Sequence, residues 1–595
     1  WDDCNNNGIK DTSESGLVGA VVTLYRSGAD NLVNTADDVI VGSSYTTIAG
    51  GAYSFTNLVP GDYIVKIVTP PSAKPKSSTS QDSADNGVDN NNNGIQPVVG
   101  GAISSGIIHI APGENEPTID FGLTTLKPTN WAAWQSLFPL GGQNGPTQNP
   151  DGDIYDNLQE FAFCKDPSSG VNTHCPLEIR LDKDGFIYAQ VTKVKDIVGL
   201  TYTLEYISDL SLSGANGAGW TPVTTIIPVD TDNNDGTITS TYANLESIPA
   251  LANGKGFVRV KLDLASPATT SRTYAAGWMD RTITGACETY SNPFLECEVF
   301  SGLVDSNTAS SINVATAVGT GNFGAALLTG KSYYVEVLSG ALAGHRWNVV
   351  AGSTVTTIAV GAGTKALTAN ALAGASVIVR EAKTIGGLFA PSLYQAGSTP
   401  NNSDKVLIYD SNSVAKWSVY YLADLTAGGL GIHWVKQGDN TLASQDNLAL
   451  DACQGIYIHH RAAAINTTQI GHVRQNPMAC PLSIGQNLVG TGYPMDQSYV
   501  NRAMTWTGSD FNGFTGSVDP VRADNVLFWK GDTTLNAENY TTHWLVNAGF
   551  NPYRRWSLQG DNALNSQDGN KVFKATRASF YKSLTGNPNY VLPTG

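Results

Sequence analysis

Twelve residues near the start of the chain place oxygen-bearing side chains at positions 1, 3, 5, 9 and 12: Asp3, Asn5, Asn7, Asp11 and Glu14. Gly8 stands at position 6, where such a loop turns sharply, and Ile9 at position 7 offers a backbone carbonyl. Hard oxygen donors at this spacing wrap a calcium ion. A second loop repeats the pattern, with Asn149, Asp151, Asp153 and Glu160 at positions 1, 3, 5 and 12 and the Tyr155 carbonyl at position 7; Ile154 replaces the glycine. A third, Asp89, Asn91 and Asn93, repeats only the first half, and Asp85 nearby supplies a further carboxylate. A fourth gathers Asp30, Asp37 and Asp38. Carboxylates crowded into turns repel one another without a cation. The expected cofactor is therefore Ca2+. Residues 230–236 carry similar letters, but Asp, Asn and Gly between two alternating runs read first as a hairpin turn.

Other chemistry finds little footing. Gly319, Gly321 and Gly324 match a dinucleotide fingerprint, and Gly330-Lys331-Ser332 echoes a phosphate loop. Both motifs must open a helix, whereas Ser332 to Leu338 alternates as a strand. No H-E-x-x-H or G-x-S-x-G occurs and the eight His are scattered, so no catalytic residue is assigned. Trp417, Trp434, Trp506, Trp529, Trp544 and Trp556 would suit sugar stacking if exposed, but such residues more often fill cores.

The seven Cys include no C-x-x-C, which leaves zinc ribbons and redox motifs unsupported. Six are near neighbours in sequence and are expected to pair as Cys164–Cys175, Cys287–Cys297 and Cys453–Cys480 in an oxidising compartment; buried free thiols are the alternative. Cys4 is left over, as a shielded thiol or an intermolecular link.

The elements that must position these groups are strands. Residues 1–123 hold alternating runs at Val18–Tyr25 and Tyr63–Ile67, each entered through a turn. The segments WDDCNNNGIKDTSESGLVGAVVTLY, GAYSFTNLVPGDYIVKI and DFGL resemble the B-type, SdrD B-like domain of serine-aspartate repeat surface adhesins. The resemblance implies a calcium-binding β-sandwich used as a stalk. Its members carry a short strand before the Trp-x-Asp segment, whereas this chain opens at Trp1. The expectation is an upstream segment or a strand from a neighbouring subunit, since an open sheet edge is a template for pairing.

Residues 124–176 read as a joint, with short helices near Trp131–Phe138 and Asn157–Phe163, and within it the segment NLQEFAFCKDP resembles the thrombospondin type 3-like calcium hinges of secreted bacterial proteins. Residues 177–266 read as a β-sandwich and 267–400 as a further β-rich domain. Residues 401–595 contain a repeat: Trp434 to Asp446 matches Trp556 to Asp568 at nine of thirteen positions, an offset of 122. Two copies suggest a duplicated domain, not a solenoid. The segments TYSNPFLECEVFSG and IGQNLVGTGYP resemble an uncharacterised family of secreted bacterial proteins.

The fold class expected is all-β and multidomain: tandem β-sandwiches with a calcium-binding helical joint. Charged residues are 14% of the chain against the typical ~25%. A net charge of −16 disfavours nucleic acid and anionic membrane as partners. No apolar run approaches the ~18 residues of a membrane helix. The expected role is a calcium-stabilised structural subunit of an extracellular appendage, filament or surface layer. Its partners would be copies of itself, joined by strand complementation at the N-terminal domain. A surface adhesin or glycan-binding protein is the alternative, and an extracellular hydrolase ranks third.

Overall fold

The structure is a computed structural model. It describes all residues except 4–7, 11–13, 72–73, 79–86, 98–99, 125–128, 139, 141, 168, 173, 234–235, 285, 315–326, 328–329, 355, 411–412, 462–463, 531–539, 550–552 and 594–595. The chain forms two compact units: residues 1–139 with 193–199 and 230–239, and the remainder.

In the first unit, strands Val39–Ile40, Val21–Arg26, Gly61–Ile67 and Ile103–Ser104 lie side by side in that order, with Tyr45–Thr46 and Ile108–Ile110 added at the margins. Thr23 stands opposite Lys66 and Tyr25 opposite Ile64. Strand alternation sends Val22, Leu24, Tyr63, Val65 and Ile67 to one face, where they meet Ile103, Ile108, Phe121 and Leu123. The facing layer is thin. Lys76–Ser77 pairs with Leu123–Thr124, and Asp2 bridges Leu123 in parallel. The interior between the layers is incompletely filled: a cleft of about 560 Å³ is walled by Val22, Leu24, Tyr53, Phe55, Ile108 and Phe121, among others.

Two short helices occur within residues 124–176, as the sequence suggested. Trp131–Leu137 is capped by Asn130, which accepts from the Ala133 amide at 2.9 Å. Asn157–Phe163 is capped by Asp156, which accepts from Gln159 at 2.9 Å. The second helix ends at Cys164 in the left-handed conformation.

The second unit is built on pairings that sequence composition does not reveal. Strands Leu200–Ile207, Lys255–Leu264, Ala276–Ile283 and Ile465–Val473 are neighbours in one sheet, so residues 177–266, 267–400 and 401–595 share a sheet. Residues 298–381 close into a six-stranded barrel around Phe300, Val304, Ile312, Val335, Trp347 and Val377. One of its strands is Tyr333–Val337, so no helix follows Lys331, and the Lys331 ammonium pairs with Glu381 at 2.7 Å. The glycine motif at 319–324 lies outside the described residues.

The repeat is a pair of five-stranded sheets with the same strand order. One runs Cys287–Tyr290, Ile456–His459, Lys405–Tyr409, Trp417–Asp424, Ile432–Lys436. The other runs Gly485–Val489, Ser579–Ser583, Asn525–Trp529, Tyr540–Asn547, Arg554–Leu558. The barrel is thus inserted in the first copy, after its edge strand. The matching letters make matching bonds. Asp446 accepts from the Trp434 amide and Asp568 from the Trp556 amide, both at 2.9 Å. The two indoles donate to Phe389 O and Met504 O, both at 2.8 Å.

Candidate metal centre

The loop before helix Asn157–Phe163 carries Asp151 and Asp153, and the helix itself presents Glu160. Ligand atoms of these three side chains lie within 4.8 Å of one another. The loop turns at Gly152, whose φ of +69° places it in the left-handed region and whose missing Cβ makes room for Leu303. Asn149 staples it: Nδ2 donates to Asp153 O at 2.8 Å and Oδ1 accepts from Gly152 N at 2.7 Å. The Tyr155 amide donates to Asp153 Oδ1 at 2.6 Å, and its hydroxyl donates to Glu298.

Three oxygens of this trio, Asp151 Oδ2 and both Oε of Glu160, are buried without a hydrogen-bond partner. That is costly for carboxylates. Burial, with Asp166 next among the charges, pushes Asp151 up to about 6. Burial and then the Asp151 charge raise Asp153 well above its usual range. Burial followed by Asp151 and Asp153 does the same to Glu160. Buried oxygen anions that repel one another and lack donors fit a hard divalent cation, with Asp151, Asp153 and Glu160 as the residues that would hold it. Asp166 adds charge to this locus, a contribution the twelve-residue spacing does not show.

The two Asn-rich loops of the N-terminal unit come together. Ile9 bridges Asn91, Asn92 N donates to Gly8 O at 2.8 Å, and Lys10 N donates to Asn90 O at 2.7 Å. Asp3 is buried and its Oδ2 accepts from Gly8 N at 2.8 Å; Glu14 is half-buried. Cys4, Asn5, Asn7, Asp11 and Asp85 lie outside the described residues. Asn91 and Asn93 are buried, and Asn93 Oδ1 accepts from Asp120 N at 2.7 Å. Asp120 was not singled out in the sequence. Burial raises its carboxyl, Asp89 adds to the effect, and its Oδ2 accepts from Asn90 N at 2.9 Å.

The Asp30, Asp37 and Asp38 turn is built differently. Asp30 accepts from Leu32 N at 2.9 Å and Asp37 from Thr35 Oγ1 at 2.8 Å. Asp38 pairs with Lys66 at 2.9 Å and accepts from Gly28 N and Thr35 N. The Thr35 hydroxyl holds Asp37 below its usual range. Burial pushes Asp38 up, but Lys66 and the backbone outweigh it and hold it low. These carboxylates already have donors. At 230–236, Asn233 N donates to Thr237 O at 3.1 Å, closing the expected turn; residues 234–235 lie outside the described set.

The cysteine pairing corrects the sequence expectation. Cys175 bonds Cys297, 122 residues away, so neither Cys164–Cys175 nor Cys287–Cys297 forms. The sheet sets this partnership: Leu295 stands opposite His472, and His472 Nε2 lies 3.2 Å from Cys175 Sγ. Cys164 ends a helix, and Cys287 is a buried thiol beneath Trp529, whose indole donates to its carbonyl at 2.8 Å. Cys453 and Cys480 stand as neighbouring thiols, not the expected disulfide; burial and then Cys453 push Cys480 well up. The six Trp are interior residues: Trp434, Trp529, Trp544 and Trp556 are buried, and Trp417 and Trp506 half-buried.

Comparison with known proteins agrees with the N-terminal reading. Residues 1–123 match the SdrD B-like domain. The chain is 32% identical over 130 residues to serine-aspartate repeat-containing protein F of Staphylococcus epidermidis, covering 22% of this chain and 7% of that protein. It is 32% identical over 154 residues to serine-aspartate repeat-containing protein D of Staphylococcus aureus (strain Newman), covering 26% and 10%. The matches thus span a tenth or less of these relatives. Among solved structures, the full-length major pilin SpaD from Corynebacterium diphtheriae aligns over 67% of this chain and 86% of its own, at 10% identity. Its TM-score is 0.14, too low to carry structural information. Residues 1–123 are thus similar to an SdrD B-like domain, within a chain that is all-β and multidomain.

Proposed function

We propose that this chain is an extracellular, calcium-stabilised structural subunit that assembles with copies of itself at a bacterial surface, in an appendage, filament or surface layer. The observation that carries the reading is the underfilled interior of the SdrD B-like domain, a cleft of about 560 Å³ whose walls combine apolar strand residues such as Val22, Leu24 and Phe55 with polar ones such as Asp89, Glu116 and Asp120, beside a thin second layer. A strand donated by a second copy would fill it and complete the layer. Calcium at Asp151, Asp153 and Glu160 would offset the repulsion at the joint and stiffen the chain. No helix among the described residues is long and apolar enough to cross a membrane.

The test is assembly. Purified protein in calcium should form regular polymers by negative-stain microscopy as concentration rises. Phe55→Arg, on the cleft wall, should abolish them while leaving the circular dichroism intact. Wild-type protein that stays monodisperse at every concentration would sink the proposal.

A further inference from the structure

Glu298 opens the first barrel strand and is buried. Residues 170–172 run along that strand. Asn172 N donates to Val299 O at 3.0 Å, Ser301 N donates to Gly170 O at 2.9 Å, and Val171 bridges Phe300. Gly170 is required there, because a Cβ would fall 1.5 Å from Ser301 O. The backbone of Asn172 is therefore fixed, and its carboxamide is gripped at both ends. Nδ2 donates to Glu298 Oε1, and Oδ1 accepts from Lys165 Nζ.

Lys165 arrives from the other side. It follows the left-handed Cys164, and its own amide donates to Glu160 O at 2.9 Å. Its Nζ also donates to His174 O at 3.1 Å and sits 4.4 Å from the centroid of the Tyr155 ring. The Tyr155 hydroxyl donates to Glu298. Lys165, Asn172 and Glu298 are thus joined in series by hydrogen bonds, with the Tyr155 ring over the Lys165 ammonium and the Tyr155 hydroxyl on Glu298.

We propose that Lys165 and Asn172 become joined by an isopeptide bond that the folded chain forms itself, with Glu298 carrying the protons. One proton passes from the Lys165 ammonium through the Asn172 carboxamide, which is hydrogen-bonded to both groups, to Glu298, leaving an amine. The amine nitrogen adds to Asn172 Cγ. As the Nζ–Cγ bond forms, the Cγ–Nδ2 bond breaks. The second proton shed by Nζ ends on Nδ2, so ammonia leaves, and Glu298 later returns the first proton to solvent. Nothing is oxidised or reduced, and no co-reactant is consumed. Fixed near-attack geometry and a proton carrier hydrogen-bonded to the Asn172 carboxamide supply the acceleration. The product closes residues 165–172 into a covalent ring beside the Cys175–Cys297 disulfide.

Intact-mass spectrometry of the full chain after disulfide reduction tests this. The expected mass is lower than the sequence mass by one ammonia. Trypsin should fail to cut after Lys165, and fragment ions should place the loss within 165–172. Glu298→Gln and, independently, Lys165→Arg should restore the full mass. A wild-type chain at full sequence mass and cleaved after Lys165 overturns the proposal. So does an ammonia loss that persists in Lys165→Arg, because it would come from cyclisation of another Asn.

Discussion

Two turns in this molecule each gather three carboxylates, and they solve the repulsion in opposite ways. The Asp30, Asp37 and Asp38 turn surrounds its oxygens with donors: Leu32 N, the Thr35 hydroxyl, Gly28 N and the Lys66 ammonium. Its Asp37 and Asp38 carboxyls are held low. The Asp151, Asp153 and Glu160 centre leaves three oxygens buried and partnerless, and all three carboxyls are raised. The spacing of acidic letters does not separate these cases. What separates them is whether the fold itself brings donors to the oxygens. Where it does, the turn is complete as protein. Where it does not, the oxygens are left for the cation proposed above.

The comparison can be broken first at Lys66. Its side chain and that of Asp38 are 7% and 2% exposed. Asp38→Ala leaves a buried ammonium unpaired and should destabilise the N-terminal unit by about 3–5 kcal/mol, by chemical denaturation, with or without calcium. A calcium-dependent loss would mean that this turn is a ligand set after all. Calcium itself should act on the joint. At about 100 times its dissociation constant it should stabilise by about 2.7 kcal/mol, read as slowed hydrogen exchange in 149–163 and not in 28–38. Equal protection of both turns would erase the distinction.

Glu160→Gln should sharpen it through a reversal of sign. In chelator the variant should be more stable than wild type, because it removes one of three repelling charges. In saturating calcium it should be less stable. A variant weaker under both conditions would show Glu160 to be a packing residue only. The smallest effect expected is with pH, in chelator. Asp151, Asp153 and Glu160 have raised pKa values, so their contribution is fully favourable below the unfolded carboxylate range and is lost as pH rises, for Asp151 through about 6. Asp38 is depressed, so its contribution is present above the unfolded range and is lost as pH falls through its folded value. From pH 7 to pH 5, the protection factor, which removes the intrinsic pH dependence of amide exchange, should rise at 149–163 and stay level at 28–38.

Local features were legible in the sequence. The helix Asn157–Phe163 and the Glu160 position on it follow from one stretch of chain, and the matched segments Trp434–Asp446 and Trp556–Asp568 make the same Trp–Asp bond in both copies. Features set by strand pairing were not. Cys175 finds Cys297 because Leu295 is registered against His472, a relation between residues 177 positions apart. Asp120 and Glu298 acquire their partners in the same non-local way, and neither stands out among its neighbours in the chain. The barrel inserted into the first repeat also hid the full extent of that copy. Its edge strand, Cys287–Tyr290, lies over a hundred residues before the next strand of the same sheet, Lys405–Tyr409.

The central claim is that Asp151, Asp153 and Glu160 form a cation centre. Isothermal titration of calcium into metal-free wild type and Glu160→Gln, side by side at pH 7, tests it most directly. The account predicts that the variant loses one binding step, or that this step weakens by roughly 10–100-fold or more, while any remaining steps are unchanged. Identical isotherms for the two proteins, or no binding heat in either under conditions where both are folded, would contradict it.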